Sequence, residues 1–309
     1  MNDKIQEMIH QSVHGFLQEV ALGMQNIPKE FEEDKKYLFV FLDHLGFSNK
    51  VLKATEDYGW LSFCADMGIL IDDDLKNLLN KCQRWNSPVS MVREKHFSDS
   101  ICLFWEIGDY EEEKNYYSAS ELAELLRDIF FLIGNIQMNA SIHEALFRGG
   151  VAVGHYFEYN NITVSDALVR AHNIENSIKI PAVGVDESVW KELGDENIHE
   201  WFINEGYLAK HLEKQREFEY IDFINTILKN ENISKLHMEG MYFTNMKKAI
   251  LLNWSNAKAT MVNDKMSTGL KEKYEWLFEY FNRKCNEKKQ MKYIIEEECC
   301  DDLRSVATY

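Results

Sequence analysis

Two aspartates stand where apolar runs end, and their side chains could bind a divalent cation. Asp43 follows the uninterrupted apolar and aromatic run at 37–42, and Asp99 lies in the segment SDS at 98–100 between two strand-like runs. Hard divalent cations prefer oxygen ligands, and Mg²⁺ or Mn²⁺ is typically held by one or two carboxylates plus substrate phosphates. Carboxylates at the ends of neighbouring strands can therefore converge on one metal pair. The alternative is that Asp99 is only a turn former and that Asp43 only ends its strand.

Other motifs that carry chemistry are weak or missing in the sequence. His10 and His14 are four residues apart on a predicted helix, but no third ligand accompanies them. The pair at 143–144 lacks the second histidine of an HExxH motif, and neither GxSxG nor GxxxxGK[ST] occurs. The six cysteines show no CxxC or CxH spacing, so neither a zinc site nor a disulfide framework is expected. Hydrolase and P-loop functions are therefore disfavoured.

Hydrophobic periodicity divides the chain into predicted helices and strands. Apolar residues three and four positions apart predict helices, and short β-branched or aromatic runs predict strands. The predicted helices are residues 3–26, 72–85, 118–143 and 164–177. The predicted strands are residues 37–42, 90–97, 100–110 and 148–159, with a further strand and helix within 178–193. The runs at 90–97 and 100–110 are expected to form a hairpin.

This order of elements predicts an α+β fold. Strands that meet in one antiparallel sheet, with helices on one face, match a ferredoxin-like core with additional elements. We expect an N-terminal helix within residues 1–30, the core domain at 31–211 and a charged, helical C-terminal region at 212–309.

Composition narrows the class of partner. The chain has 309 residues and a formal net charge of −17, and 45% of its residues are hydrophobic, which is enough for a substantial core. So acidic a chain repels phosphate backbones, so we expect no nucleic-acid partner, and a polyphosphate ligand would need cations. No apolar run approaches the roughly 18 residues of a membrane span. We therefore expect a cytoplasmic protein without direct membrane association.

Four segments in this order resemble the class III nucleotidyl cyclase domain, over roughly residues 35–190. They are DHLGFS at 43–48, KHFSDSICLFW at 95–105, RGGVAVGHYF at 148–157 and DALVRAHNIE at 166–175. The resemblance implies a class III cyclase core and a pair of metal aspartates, Asp43 and Asp99, that hold two Mn²⁺ or Mg²⁺ ions. The backbone carbonyl of His44 is implied as a further metal ligand, whereas its imidazole is expected to be structural or solvent-facing.

The resemblance also implies residues that bind a nucleoside triphosphate. Phe41 shares a strand face with Asp43, at a position that lies near the base held by the other subunit of class III dimers. Phe47 belongs to the turn before a helix whose N–H groups suit a triphosphate. Lys95 matches the lysine that reads adenine in adenylyl cyclases, and Arg148 is a candidate cation. The alternatives are a core phenylalanine at position 41 and a solvated strand-edge lysine at position 95.

Differences from the family pattern indicate which subgroup of class III cyclases the chain resembles. Val169 and Asn173 occupy the positions of the asparagine and the transition-state arginine of purine cyclases, and Ser98 replaces a glycine. Arg170 is a candidate replacement for the arginine. The form FSDS and the segment KYEWLFEYFN at 273–282 resemble the pyrimidine cyclases of the bacterial Pycsar anti-phage system.

This closer resemblance implies a homodimer that converts UTP to cyclic UMP, which a separate effector reads. Cyclic CMP made from CTP is the runner-up product. Two further alternatives are a catalytically silent, nucleotide-binding sensor and a purine cyclase with a relocated arginine. Lys95 fits the purine cyclase, but the sequence reveals no acidic partner for the amino group of adenine.

Overall fold

The computed structural model describes most of the chain between residues 35 and 296. The described residues are 35–45, 47, 51, 76–77, 92–97, 99–110, 113–143, 145–159, 162–178, 180–213, 216–229, 239–259 and 268–296. The N-terminal helix predicted within 1–30 lies outside them, as does the helix predicted at 72–85 apart from residues 76–77. None of the helices in this part of the chain is long and apolar enough to cross a membrane.

The described residues form a nine-stranded, mainly antiparallel sheet. The strands are β1 (Lys35–His44), β2 (Arg93–Phe97), β3 (Ser100–Asp109), β4 (Lys114–Asn115), β5 (Phe147–Tyr159), β6 (Ile162–Ser165), β7 (Val183–Val185), β8 (Leu208–Glu213) and β9 (Arg216–Ile221). Their order is β2-β3-β1-β5-β7-β9-β8, with β4 paired to β3 and β6 paired to β5. The pairing of β5 with β7 is parallel, and the others are antiparallel. The α+β class and the predicted hairpin of β2 and β3 are confirmed.

Helices alternate with the strands from residue 119 onwards. They are α1 (Ala119–Ile142), α2 (Asp166–Ile178), α3 (Glu187–Leu193), α4 (Glu196–Asn204), α5 (Phe223–Leu228), α6 (Glu239–Ala259) and α7 (Thr268–Glu287). The first of them begins with a capping box, in which Ser118 and Glu121 each accept a hydrogen bond from the backbone N–H of the other. This local signal explains why the sequence predicts α1 to within one residue at each end.

The helices cover both faces of the sheet. Val40 and Leu42 share a core cluster with the apolar side of α1. Phe39 and Phe41 point to the opposite face and share a second cluster with α2. The expectation of helices on one face is wrong in this detail, because an uninterrupted apolar strand such as β1 exposes apolar side chains on both faces and both must be covered.

Close approach of α2 to the sheet depends on a glycine in β5. A Cβ atom on Gly150 would overlap the backbone carbonyl oxygen of Ala171 in α2. With hydrogen alone at this position, the helix backbone rests directly on the strand. Glu175 lies one helical turn beyond Ala171, so the contact also sets the height of Glu175 above the sheet.

The sheet continues past residue 211, where the sequence predicts the core domain to end. The strand β8 runs across residues 211–212, and β9 pairs with β7 at Tyr220 and Gly184. Helical structure follows in α5, α6 and α7, with Leu277 and Phe281 buried in the cluster that includes Leu45. The predicted boundary therefore falls inside a strand, and the division of the chain into domains stays a prediction.

Candidate functional site

Antiparallel pairing brings the segments of Asp43 and Asp99 together. Asp43 is opposite Ser100 in the register of β1 and β3, and the backbone N–H of His44 donates to the carbonyl oxygen of Asp99 at 3.2 Å. The turn that contains Asp99 therefore lies directly beside the end of β1. This is the juxtaposition that the sequence predicts for a metal pair, while the role of both residues as ligands stays a prediction.

The Asp43 carboxylate is held by residues of both neighbouring strands. The Ser100 hydroxyl donates to Oδ1 at 3.2 Å, and Arg148 donates to Oδ2 from Nε at 3.2 Å and from Nη2 at 3.0 Å. Ser100 and Arg148 are the register partners of Asp43 on β3 and β5, so the three side chains share one face of the sheet. The side chains of Asp43 and Arg148 are 18% and 24% exposed, which leaves the cluster open to a small ligand.

A second carboxylate contacts the same arginine. Glu175 of α2 is 3% exposed, and its Oε1 lies 2.6 Å from Nε of Arg148. Burial raises the pKa of the Glu175 carboxyl, while the positive charge of Arg148 lowers it and the negative charge of Asp43 raises it further. Lys273 lowers this pKa as well, so the two carboxylates that share Arg148 are partly balanced by a second cation.

The side chain of His44 belongs to the core. It is 2% exposed, and its ring makes edge contacts with the rings of Phe47 at 5.7 Å and Phe147 at 5.8 Å. The imidazole is therefore structural and not solvent-facing, one of the two situations that the sequence predicts. This contact of Phe47 is thus with the ring of a buried core residue, and its role in nucleotide binding stays a prediction.

Phe41 lies beneath α2. Its side chain is 9% exposed, and its ring meets the ring of His172 edge to face at 5.5 Å. This placement favours the alternative of a core phenylalanine, because a base could stack on the ring only after α2 had shifted. Stacking on a pyrimidine stays a prediction.

Lys95 is engaged in a polar cluster and is not solvated as its alternative expects. Its ammonium lies 2.6 Å from Oε1 of Glu158 and donates to the Thr163 hydroxyl at 2.8 Å. The Tyr156 hydroxyl donates to the other carboxylate oxygen of Glu158 at 2.9 Å. Lys95 on β2 is paired with Cys102 on β3, which is paired in turn with Phe41 on β1. Lys95 therefore lies on the face that carries Asp43, two strand spacings, or about 10 Å, away from β1.

Sequence reasoning missed the roles of Ser100, Glu158 and Glu175. Glu158 and Thr163 belong to the hairpin of β5 and β6, and Thr163 is 68 residues from Lys95, so no local pattern joins them. Glu175 is the last residue of the helical segment that carries the family resemblance. Its position among the apolar residues of that helix was the signal that could have predicted its burial.

Arg170 points away from Asp43 and Asp99. Its guanidinium lies 3.5 Å from Asp166 and 3.9 Å from Asp186, at the other end of α2. Arg148, in contrast, contacts Asp43 directly. The structure therefore favours Arg148 over Arg170 as the cation of the site.

The donor chemistry fits an ion of the Mg²⁺ type. Among the described residues no group of three or more histidine, cysteine, aspartate or glutamate side chains could hold a metal ion by itself. Mg²⁺ needs only one or two protein carboxylates when phosphates and waters fill its remaining positions. Asp43 and Asp99 would supply these two carboxylates to Mg²⁺ or Mn²⁺ bound together with a triphosphate, and their role as ligands stays a prediction.

Comparisons with known proteins yield only distant structural likenesses. No protein-family model and no curated protein matches the chain. The monomeric guanylyl cyclase domain of the RhoGC fusion protein from the aquatic fungus Blastocladiella emersonii is 11% identical, with a TM-score of 0.36, over 61% of this chain and 95% of that one. The adenylyl cyclase CyaB from P. aeruginosa is 8% identical, with a TM-score of 0.37, over 61% of this chain and 94% of that one. A bacterial light-regulated adenylyl cyclase is 13% identical, with a TM-score of 0.34, over 66% of this chain and 97% of that one.

These identities and TM-scores are too low to carry a functional inference. The function has to be inferred from the residues of this chain.

Proposed function

We propose that this protein is a class III-like nucleotide cyclase that acts on a pyrimidine, converting UTP to 3′,5′-cyclic UMP and pyrophosphate. The observation that carries the proposal is the placement of Asp43 beside the turn of Asp99, with Arg148 on the Asp43 carboxylate. Two strand-end carboxylates and an adjacent guanidinium are the groups that a metal-bound triphosphate needs. The choice of a pyrimidine rests on the departures at Val169 and Asn173.

In this reaction the ribose 3′-hydroxyl loses its proton to solvent, its oxygen bonds to the α-phosphorus, and the bond from that phosphorus to the β-phosphate oxygen breaks and releases pyrophosphate. Two divalent ions, when bound, ease loss of the 3′-hydroxyl proton and offset the charge of the phosphates. Asp43 and Asp99 would hold these ions, and the backbone carbonyl of His44 would contribute a further oxygen ligand. Arg148 places its guanidinium against phosphate oxygens, whose planar pairs match its N–H groups.

Base recognition is proposed for the Lys95 cluster. Lys95 can donate a hydrogen bond to a base, and Glu158 can accept one. Uracil offers O4 as acceptor and N3–H as donor, whereas cytosine offers N3 as acceptor and its amino group as donor. Both bases can accept a hydrogen bond from Lys95 and donate one to Glu158, so CTP remains the runner-up substrate. Glu158 is also an acidic residue beside Lys95 that a purine cyclase could use.

The wider setting of the proposal comes from the resemblance to the Pycsar cyclases. It includes a homodimer, an anti-phage role and a separate effector that reads the cyclic nucleotide. A catalytically silent sensor is the alternative from a different class of function. Retention of both Asp43 and Asp99, in neighbouring segments, favours the enzyme over the sensor, because a pair of metal aspartates serves catalysis.

The test is incubation of the purified full chain with ATP, GTP, CTP and UTP separately, each with Mn²⁺, followed by mass spectrometry of the products. Cyclic UMP made by the wild type and missing with Asp43→Asn and Asp99→Asn supports the proposal. Asp128→Asn on α1 is the matched control and should retain activity. Cyclic CMP alone would correct the base, cyclic AMP or GMP would overturn the pyrimidine assignment, and absence of every product would favour the sensor.

A further inference from the structure

Arg148 has one Nε–H group and two carboxylates that compete for it. The Nε–H donates to Oδ2 of Asp43, although Nε lies closer to Oε1 of Glu175, at 2.6 Å against 3.2 Å. Among the described residues Oε1 of Glu175 accepts no hydrogen bond, and this atom is buried. A buried carboxylate oxygen that touches a guanidinium without accepting a hydrogen bond from it gains only part of the stabilisation of a charge-assisted hydrogen bond.

A cation bound to Asp43 changes this competition. Arg148 and a divalent ion carry charge of the same sign, so both on Oδ2 of Asp43 would repel each other. The guanidinium must then give up part of its contact with Asp43. Glu175 is the acceptor already in contact with it, and a small rotation would bring the Nε–H onto Oε1.

We propose that Glu175 is a positioning residue that takes over Arg148 when Asp43 binds a divalent cation, and so keeps the guanidinium where the triphosphate of the substrate binds. The inference rests on the proposed function, because it assumes that Asp43 is a metal ligand. Glu175 itself touches neither metal nor substrate.

The surrounding framework suits this role. The backbone of α2 at Ala171 rests on Gly150, and this contact sets the position of Glu175 relative to the sheet. The strand residue Arg148 is two positions before that contact, so acceptor and donor are set on two elements in direct contact. Burial of Glu175 also excludes water that would otherwise compete for the Nε–H.

The experiment is a double-mutant cycle read by Mn²⁺ binding. Electron paramagnetic resonance measures free Mn²⁺ during titration of the full chain, with Mn²⁺ alone and with its complex with inorganic triphosphate. The proteins are the wild type, Glu175→Gln, Arg148→Gln and the double variant. Glu187→Gln, on the exposed side of α3, is the matched control for loss of one glutamate charge.

We expect Glu175→Gln to weaken Mn²⁺ binding by about five- to tenfold in the presence of Arg148, and by less than about twofold in the Arg148→Gln background. A charge effect through space would instead weaken binding by the same factor in both backgrounds, and that additivity would overturn the inference. Glu187→Gln should leave binding unchanged.

A second measurement covers the case in which Arg148→Gln does not fold. The ¹⁵Nε–¹H signal of Arg148 is followed by NMR in the wild type and in Glu175→Gln as Mg²⁺ is added. We expect the signal to shift and remain protected from solvent exchange in the wild type, and to lose protection in the variant. Equal protection in both would overturn the inference. Failure of the wild type to bind Mn²⁺ would instead overturn the metal site of the proposed function, and it would appear before any variant is compared.

Discussion

The clusters around Asp222 and Asp43 each pair an aspartate with a cation, and they differ in how exposed the aspartate is and in how completely its neighbours are hydrogen-bonded. Asp222 is 3% exposed at its side chain and accepts from the Tyr280 hydroxyl at 2.8 Å and the backbone N–H of Asn225 at 3.1 Å, while the ammonium of Lys284 lies at 2.5 Å. Asp43 is 18% exposed, and its arginine is shared with Glu175, whose Oε1 accepts no hydrogen bond from the described residues.

The difference separates a structural cluster from a functional one. The Asp222 cluster joins α5 to α7, and both carboxylate oxygens of Asp222 are engaged, so the cluster stabilises the packing of these two helices. The carboxylate of Asp43 lies nearer solvent, where a cation can reach it.

The largest expected effect is on turnover in the Asp43 cluster. Asp43→Asn should lower cyclic nucleotide formation by about a thousandfold or more, because an amide cannot replace a carboxylate as a ligand of a hard cation. The melting temperature should change little. Steady-state product formation and thermal unfolding by circular dichroism measure both quantities. Activity near that of the wild type would refute the assignment of Asp43 as a metal ligand.

The Asp222 cluster should show the opposite response. Lys284→Met should lower the free energy of unfolding by about 3–5 kcal/mol, because it leaves the buried Asp222 carboxylate without its cation. Urea denaturation measures this loss, with the exposed Lys191→Met on α3 as control. A loss no larger than that of the control would mean that the cluster contributes little to stability.

Lys95 is predicted to affect substrate binding and to leave stability largely unchanged. Lys95→Met removes one charge-assisted hydrogen bond to the base, so KM for the preferred nucleotide should rise by about tenfold, with a smaller change in kcat. The exposed Lys210→Met, which also breaks a lysine–glutamate pair, should leave KM unchanged. An unchanged KM for Lys95→Met would leave the lysine with a structural role alone.

The smallest effect concerns a tyrosine next to the structural cluster. Burial raises the pKa of Tyr220 to about 12, so its hydroxyl stays protonated in the folded protein at pH values where the unfolded chain ionises. Its contribution to stability is complete below about pH 10 and is lost as the pH rises toward 12. The free energy of unfolding should fall more steeply from about pH 10 to 12 in the wild type than in Tyr220→Phe. Equal dependence of the free energy of unfolding on pH in the two proteins would contradict the raised pKa of Tyr220.

Local signals in the sequence accounted for most elements of the core. Apolar runs predicted β1 and the hairpin that carries Asp99, and hydrophobic periodicity predicted α1 to within one residue at each end. Those signals extend over a few residues, so they do not tell which faces of the sheet are covered. The error about helices on one face arose there, because the cover on the Phe39 side comes from α2, well over a hundred residues later in the chain.

Local pattern alone predicts that Asp43 ends a buried strand and that Asp99 lies in the adjoining turn, because hairpin pairing depends on nearby residues. The side chains that surround Asp43, in contrast, follow from tertiary packing. Arg148 reaches it through the register of β1 and β5 across 105 residues, and Glu175 reaches Arg148 because α2 rests on Gly150. Such contacts depend on the relative positions of whole elements, and packing of the complete core sets those positions.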